Sequence, residues 1–194
     1  MKGPFEADDD ATPITPAERE ALIPTHVTLR SELNELEQQN IAEANAWAFE
    51  RKRNVLDEAF LLGLHRRMFN KVWRWAGQYR KTERNLGVLP HLVQPELIQA
   101  ISDAGYWVEH KSYEPDELAL RFHHRAVLVH PFPNGNGRWS RLAADLLVTG
   151  LGGKRFSWGG ANLQREGDAR HAYIGALKKA DKHDLGPLVD FARS

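Results

Sequence analysis

Twelve consecutive residues carry the densest set of reactive and anion-binding groups in this chain: His130-Pro131-Phe132-Pro133-Asn134-Gly135-Asn136-Gly137-Arg138-Trp139-Ser140-Arg141. Pro131 and Pro133 cannot continue a helix, so His130 is left at the exit of the one before them. Gly135 and Gly137 can take backbone conformations closed to other residues. Successive amides in such a turn can point into one concavity and hold an anion. A helix beginning at Gly137 adds its unpaired N–H groups and the positive end of its dipole. Arg138 and Arg141 fall on one face of that helix near its start. Two guanidinium groups, a nest of amides and a helix N-terminus make a site for a polyphosphate, with an imidazole at its lip.

Each part is ordinary alone. Gly-Asn-Gly turns are common, helix-end histidines are mostly structural, and paired arginines are mostly solvated; the weight lies in their concurrence. Other polar groups are less telling. His123 and His130 are spaced to share a helix face, but no nearby carboxylate completes a metal site. Trp47, Trp73, Trp75, Trp107 and Trp158 sit at apolar periodic positions and read as core. Trp139 either lines the pocket or faces outward.

The elements that must position this segment are helical. Residues 1–27, rich in Pro, Asp and Thr, read as a flexible lead-in with a short helix near 16–22. From Ser31, apolar residues recur at three- and four-residue spacing (Leu33, Leu36, Ile41, Ala44, Ala48), and Leu56, Ala59, Phe60, Leu64 and Met68 continue the period over 55–72. Residues 79–93, mixed in polarity around Gly87 and Pro90, read as a β-hairpin flap. Pro95 and Pro115 open two further helices, to about Glu109 and to His130. Helices are also predicted over 137–149, 165–182 and 188–192. The expected architecture is mostly α, a bundle with one small β element, divided as lead-in 1–27, N-terminal helix 28–53 and core 54–194.

The twelve-residue segment resembles the signature of the Fic (Fido) family, His-x-Phe-x-(Asp/Glu)-Gly-Asn-Gly-Arg-x-x-Arg, departing from it only at Asn134. Leu64-His65-Arg66-Arg67-Met68-Phe69 and Trp75-Ala76-Gly77-Gln78-Tyr79-Arg80 look like the run before that family's flap, and Tyr173-Ile174, Ala176-Leu177 and Pro187-Leu188 with Phe191 also fit. The run Glu32-Leu33-Asn34-Glu35-Leu36-Glu37 is similar to the branch called mobile mystery protein B. The resemblance implies a Fic-type helical fold and transfer of AMP from ATP to a protein Ser, Thr or Tyr hydroxyl. His130 would be the general base, Phe132 the buried anchor of the loop, and Gly135, Asn136 and Gly137 the grip on the α- and β-phosphates. Arg138 and Arg141 would bind the β- and γ-phosphates, and the flap 79–93 would hold the target protein as an added strand.

Asn134 stands where the signature has the carboxylate that holds Mg²⁺, an ion that prefers hard charged oxygens. The expected activity is therefore weak. The family also carries an inhibitory helix with Ser/Thr-x-x-x-Glu-Gly/Asn; Ser31 and Glu35 fit its Ser and Glu, and a glutamate there would capture Arg141. The alternative is that Glu32, Glu35 and Glu37 are a solvated helix face. Two other functions stay open: phosphoryl or other phosphate-group transfer in the same pocket, and a non-catalytic nucleotide- or partner-binding module of a toxin–antitoxin-like pair, with self-association or an antitoxin-like partner.

Composition bounds these readings. Lys plus Arg and Asp plus Glu are 26 each, so a nucleic-acid coating role, which needs a basic excess, is disfavoured. There is no cysteine, which removes disulfides and thiolate zinc sites. No apolar run approaches the roughly 18 residues of a membrane span, and the acidic N-terminus does not read as a secretory leader. The expected location is cytoplasmic.

Overall fold

The computed structural model describes residues 19–160 and 167–194. Among the described residues there are seven α-helices: α1 (Arg30–Phe49), α2 (Glu58–Phe69), α3 (Val93–Glu109), α4 (Pro115–Val129), α5 (Asn136–Gly150), α6 (Asp168–Ala180) and α7 (Gly186–Arg193). The expected mostly helical architecture is the observed one. The predicted helix over 55–72 is shorter than the period suggested, because Asp57 caps α2 by accepting from the Phe60 amide at 2.7 Å. The helix expected from Pro95 begins earlier, at Val93, after a 3₁₀ turn Pro90–Leu92. Residues 165 and 166 of the helix predicted over 165–182 lie outside the described residues, as do residues 16–18 of the short helix expected at 16–22.

The β-hairpin flap is not formed. Residues 79–89 run without a paired strand, and residues 90–93 are already helical. The apolar–polar mixture there reflects anchoring of single side chains rather than strand alternation. Tyr79 donates its hydroxyl to Glu58 at 2.7 Å, and Arg80 is buried among carbonyls. Among the described residues the β-type pairing is one isolated antiparallel bridge, Leu22 with Trp73. The lead-in is thus fastened at its end: the Ile23 amide donates to Val72 at 2.9 Å and the Arg74 amide to Ala21 at 2.9 Å.

α4 and α5 form the central pair. α3 and α7 pack on α4, and α1 and α2 reach α5. Leu118, Ala119, Phe122 and Ala126 of α4 meet Trp139, Leu142, Ala143 and Leu146 of α5 in one buried core. The helical spacing of those residues is the reason both elements form, since each helix alone would be marginal in water. Trp73, Trp75 and Trp158 are buried, as expected of core tryptophans, while Trp47 and Trp107 are partly buried against the core. Trp139 faces inward: its indole donates to the Leu61 carbonyl at 3.0 Å and stands edge-on to Phe132. No helix among the described residues is long and apolar enough to cross a membrane.

A candidate phosphate-binding and transfer site

The loop between α4 and α5 is built around Phe132. Its ring is fully buried, stacked on His65 with centroids 3.6 Å apart. Burial of a phenylalanine of this kind stabilises by roughly 1.5–3 kcal/mol and fixes the loop to the core. The Asn136 side chain closes the turn: its Oδ1 accepts from the Phe132 amide and its Nδ2 donates to the Phe132 carbonyl, each at 2.8 Å. Asn136 is therefore a brace, and only its backbone amide is left to face an anion.

Gly135 and Gly137, grouped together in the sequence, are there for different reasons. Gly135 caps α5 with φ +79, and a Cβ there would lie 2.5 Å from the Phe69 ring. Gly137 has helical backbone, and a Cβ would meet only the Arg141 guanidinium at 3.5 Å. The expectation of a special backbone conformation holds for Gly135 and fails for Gly137, whose missing side chain leaves room on the cavity side.

His130 ends α4 in the left-handed region, φ 52 and ψ 61. Such a residue costs of the order of 1 kcal/mol and persists where its surroundings hold it. Arg80 does so: its Nε donates to the His130 carbonyl at 2.6 Å, and its own amide donates to the Pro131 carbonyl at 2.9 Å. Burial pushes the His130 ring down to about 4, helped by the Arg80 and Arg84 charges and opposed by a backbone hydrogen bond at Val127. The imidazole is therefore neutral at physiological pH, the state a proton acceptor needs.

His65 lies in a motif run whose spacing alone assigns it no site role. It is fully buried; the Gly77 amide donates to its Nδ1 at 2.9 Å, so its Nε2 carries the proton and donates to the Asn134 carbonyl at 3.1 Å. Burial holds its pKa at about 3. One neutral ring thus couples the turn at Gly77 to the phosphate loop. His123 is also buried and held at about 3, chiefly by desolvation, with the Arg141 charge adding to it. It shares a 3.0 Å hydrogen bond with the Tyr173 hydroxyl, and the Arg141 guanidinium lies 5.3 Å from the centre of the Tyr173 ring.

A cavity of about 430 Å³ opens over this loop, within the usual range for a small-molecule site. His130, Asn134, Gly135, Asn136, Gly137, Arg138 and Arg141 all line it, so the sequence-predicted anion and base residues are brought together. Residues 85–87 form one wall and α6 another; the far end holds His124, whose Nε2 is 2.8 Å from Asp181.

Two expected features are placed otherwise. Ser31 and Glu35 are exposed and do not line the cavity. The glutamate that reaches it is Glu37, buried, with its carboxylate 2.5 Å from Arg138 Nη1 and accepting from the Trp73 indole at 2.7 Å. The solvated-face alternative fits Glu35 and fails for Glu37; Glu32 caps α1, accepting from the Thr28 and Leu29 amides at 2.9 and 3.0 Å. The signal was available in part, since Leu33, Glu37, Asn40 and Ala44 continue one helical face that is buried throughout. Asn134 offers one neutral oxygen, which accepts from the Gly135 amide at 2.7 Å and lies 3.4 Å from Arg138 Nη2. Among the described residues no group of three His, Cys, Asp or Glu could hold a metal. That donor set does not by itself fit a resident divalent ion, which would have to arrive with the phosphates.

Residues 55–148 match the Fic/DOC family. The chain is 30% identical over 135 residues to protein adenylyltransferase fic-1 of Caenorhabditis briggsae, which covers 68% of this chain and 25% of that protein. It is 29% identical over 154 residues to the probable protein adenylyltransferase aq_aa38 of Aquifex aeolicus, covering 75% of this chain and 46% of that one. The chain thus spans from a quarter to about half the length of these relatives. In fold it is similar to the BepC protein of Bartonella tribocorum, solved with bound AMPPNP, with a TM-score of 0.69, 19% identity and coverage of 92% of this chain and 97% of that one.

Proposed function

We propose, for a chain whose residues 55–148 form a Fic/DOC family domain, that it is a protein adenylyltransferase, moving AMP from ATP onto a Ser, Thr or Tyr hydroxyl of a target protein. The observation that carries this reading is the convergence of the neutral His130 imidazole, the N-terminus of α5 and Arg141 on one cavity. The relatives named as adenylyltransferases and the AMPPNP bound to BepC support the same class of reaction.

The α-phosphate would sit against the amides at the start of α5, which cost no reorganisation as charge develops. Gly137 leaves room for its approach, and Arg141 would take the outer phosphates. His130 would accept the proton of the target hydroxyl as its oxygen bonds to the α-phosphorus, and the bond to the β-phosphate oxygen would break, releasing pyrophosphate. Mg²⁺, when carried in by the triphosphate, would neutralise phosphate charge, with Asn134 Oδ1 as its neutral protein ligand. The 79–89 segment, irregular as it stands, would receive the target chain along its outer edge.

The Glu37–Arg138 ion pair supports a restrained resting state. While Arg138 is bound to a buried carboxylate it cannot also serve a phosphate. The glutamate-rich run that includes Glu37 supports placement near the mobile mystery protein B branch. Incubation with ATP labelled at the α- or the γ-phosphate tests the reaction. Label from the α position on protein supports AMP transfer, label from the γ position would instead mean phosphoryl transfer, and none from either would reduce the domain to a binding module.

A further inference from the structure

Resting on the adenylyltransferase reading, we propose that Arg80 is a positioning residue for the His130 base, its buried guanidinium binding α4, the His130 turn and the 82–88 loop into one unit at the cavity wall.

Arg80 is among the largest fully buried side chains of the described residues. Its guanidinium is spread over backbone carbonyls from two separate segments. On the α4 side Nε donates to His130 at 2.6 Å and Nη2 lies 3.4 Å from the Val129 carbonyl. On the loop side Nη1 donates to Thr82 at 3.0 Å and Nη2 donates to Val88. A cation at the C-terminal end of α4 meets the negative end of that helix, where carbonyls lack intrahelical partners. No other side chain satisfies a planar spread of acceptors in this way; a lysine ammonium reaches fewer of them.

The loop is pressed against the histidine as well as tied to it. Gly87, at φ +99, approaches so closely that a Cβ there would lie 2.5 Å from the His130 Cβ and 2.8 Å from Arg80 Nη2. Asn85, Leu86 and Gly87 and the His130 ring are neighbouring parts of the same cavity lining. A shift of the loop would therefore shift the ring, and the guanidinium is the element common to both. Its charge also favours the neutral imidazole, in the same direction as burial. The other charged groups facing that space are Arg84 from the loop side and, around the cavity, Arg30 and Glu37, Arg138 and Arg141, and Arg170, Lys178 and Asp181, with His124 beside Asp181.

The test uses the full chain, with the His130 ring titration read by NMR beside the kinetics of AMP transfer. In Arg80→Met, kcat should fall about tenfold or more with the KM for ATP changed less than about threefold. The His130 midpoint should rise by about one pH unit. Arg80→Lys should restore the midpoint but not kcat, because it returns the charge without the planar clamp. Gly87→Ala, which keeps the Arg80 side chain but crowds both its Nη2 and the His130 Cβ, should lower kcat by displacing the ring. An Arg80→Met protein with both midpoint and kcat unaltered would overturn the proposal. If that variant does not fold, unaltered kcat in both Arg80→Lys and Gly87→Ala overturns it, and a fall in both supports it. If the native chain transfers no AMP, the adenylyltransferase reading has failed; the midpoint shift in Arg80→Met and its recovery in Arg80→Lys then decide the positioning role alone.

Discussion

Glu37 and Arg138 are 101 positions apart in the chain, yet their side chains meet at 2.5 Å inside the cavity that the phosphate loop lines. The carboxylate comes from α1 and the guanidinium from the first turn of α5. The contact puts a negative charge where the proposed ligand would place its own.

Replacing Glu37 with glutamine removes the ion pair and leaves an amide oxygen to accept from Trp73. A charged hydrogen bond of this kind competes at about 1.5–3 kcal/mol, so ATP should bind roughly 10- to 100-fold more tightly to Glu37→Gln. Glu35→Gly, at an exposed position, should leave affinity unaltered. Isothermal calorimetry on both variants checks this, and equal affinities would remove Glu37 from any inhibitory role.

His130→Ala should lower the rate of AMP transfer by about 10²- to 10⁴-fold while ATP still binds. In the native protein the ring stays neutral down to about pH 4. The rate should therefore be flat between pH 8 and pH 6. An inflection near 6.5 in the profile of kcat/KM would mean an ordinary, solvated imidazole.

Asn134→Asp should raise transfer in the presence of Mg²⁺. A carboxylate beside a divalent ion adds about 2–4 kcal/mol, or roughly 30- to 1000-fold in rate. The substituted oxygen can still accept from the Gly135 amide, so the loop should survive. Chelation of divalent ions should abolish the gain; a gain that persists in chelator would argue against metal assistance.

Three buried histidines make folding sensitive to acid. The pKa values of His65 and His123 are held at about 3 and that of His130 at about 4, each below the free value, mainly by desolvation. A depressed pKa means that the unfolded chain takes up protons first. Stability is complete above about pH 6.5 and is lost as pH falls towards 4, at about 2 kcal/mol for each histidine between pH 7 and 5. Thermal unfolding followed by circular dichroism should show a steep fall in Tm over that interval. A constant Tm would mean that these rings are not buried in neutral form.

The two loop glycines should separate stability from binding. Gly135→Ala meets the Phe69 ring and a left-handed φ, and should cost about 2–4 kcal/mol. Gly137→Ala has room within the protein and should change stability by less than about 1 kcal/mol while weakening ATP binding. Loss of stability from both, or from neither, would contradict the roles assigned to them.

Much of this was legible in the chain alone. The spacing of Leu118, Phe122 and Ala126 and of Leu142, Ala143 and Leu146 announces α4 and α5, because helix period is a local property. The residues from His130 to Arg141 are consecutive, so chain connectivity alone keeps the base close to the anion loop. What only the tertiary structure decided is which distant groups press on that segment. Arg80 is only the last residue of a motif run until two sets of carbonyls enclose it, and Glu37 reads as one of several helix glutamates until α1 turns it towards Arg138. The flap looked like a hairpin because mixed polarity does not distinguish a strand from a loop whose side chains are individually anchored. Burial, and with it the protonation state of His130, depends on atoms brought from far along the chain, and no local pattern records their approach.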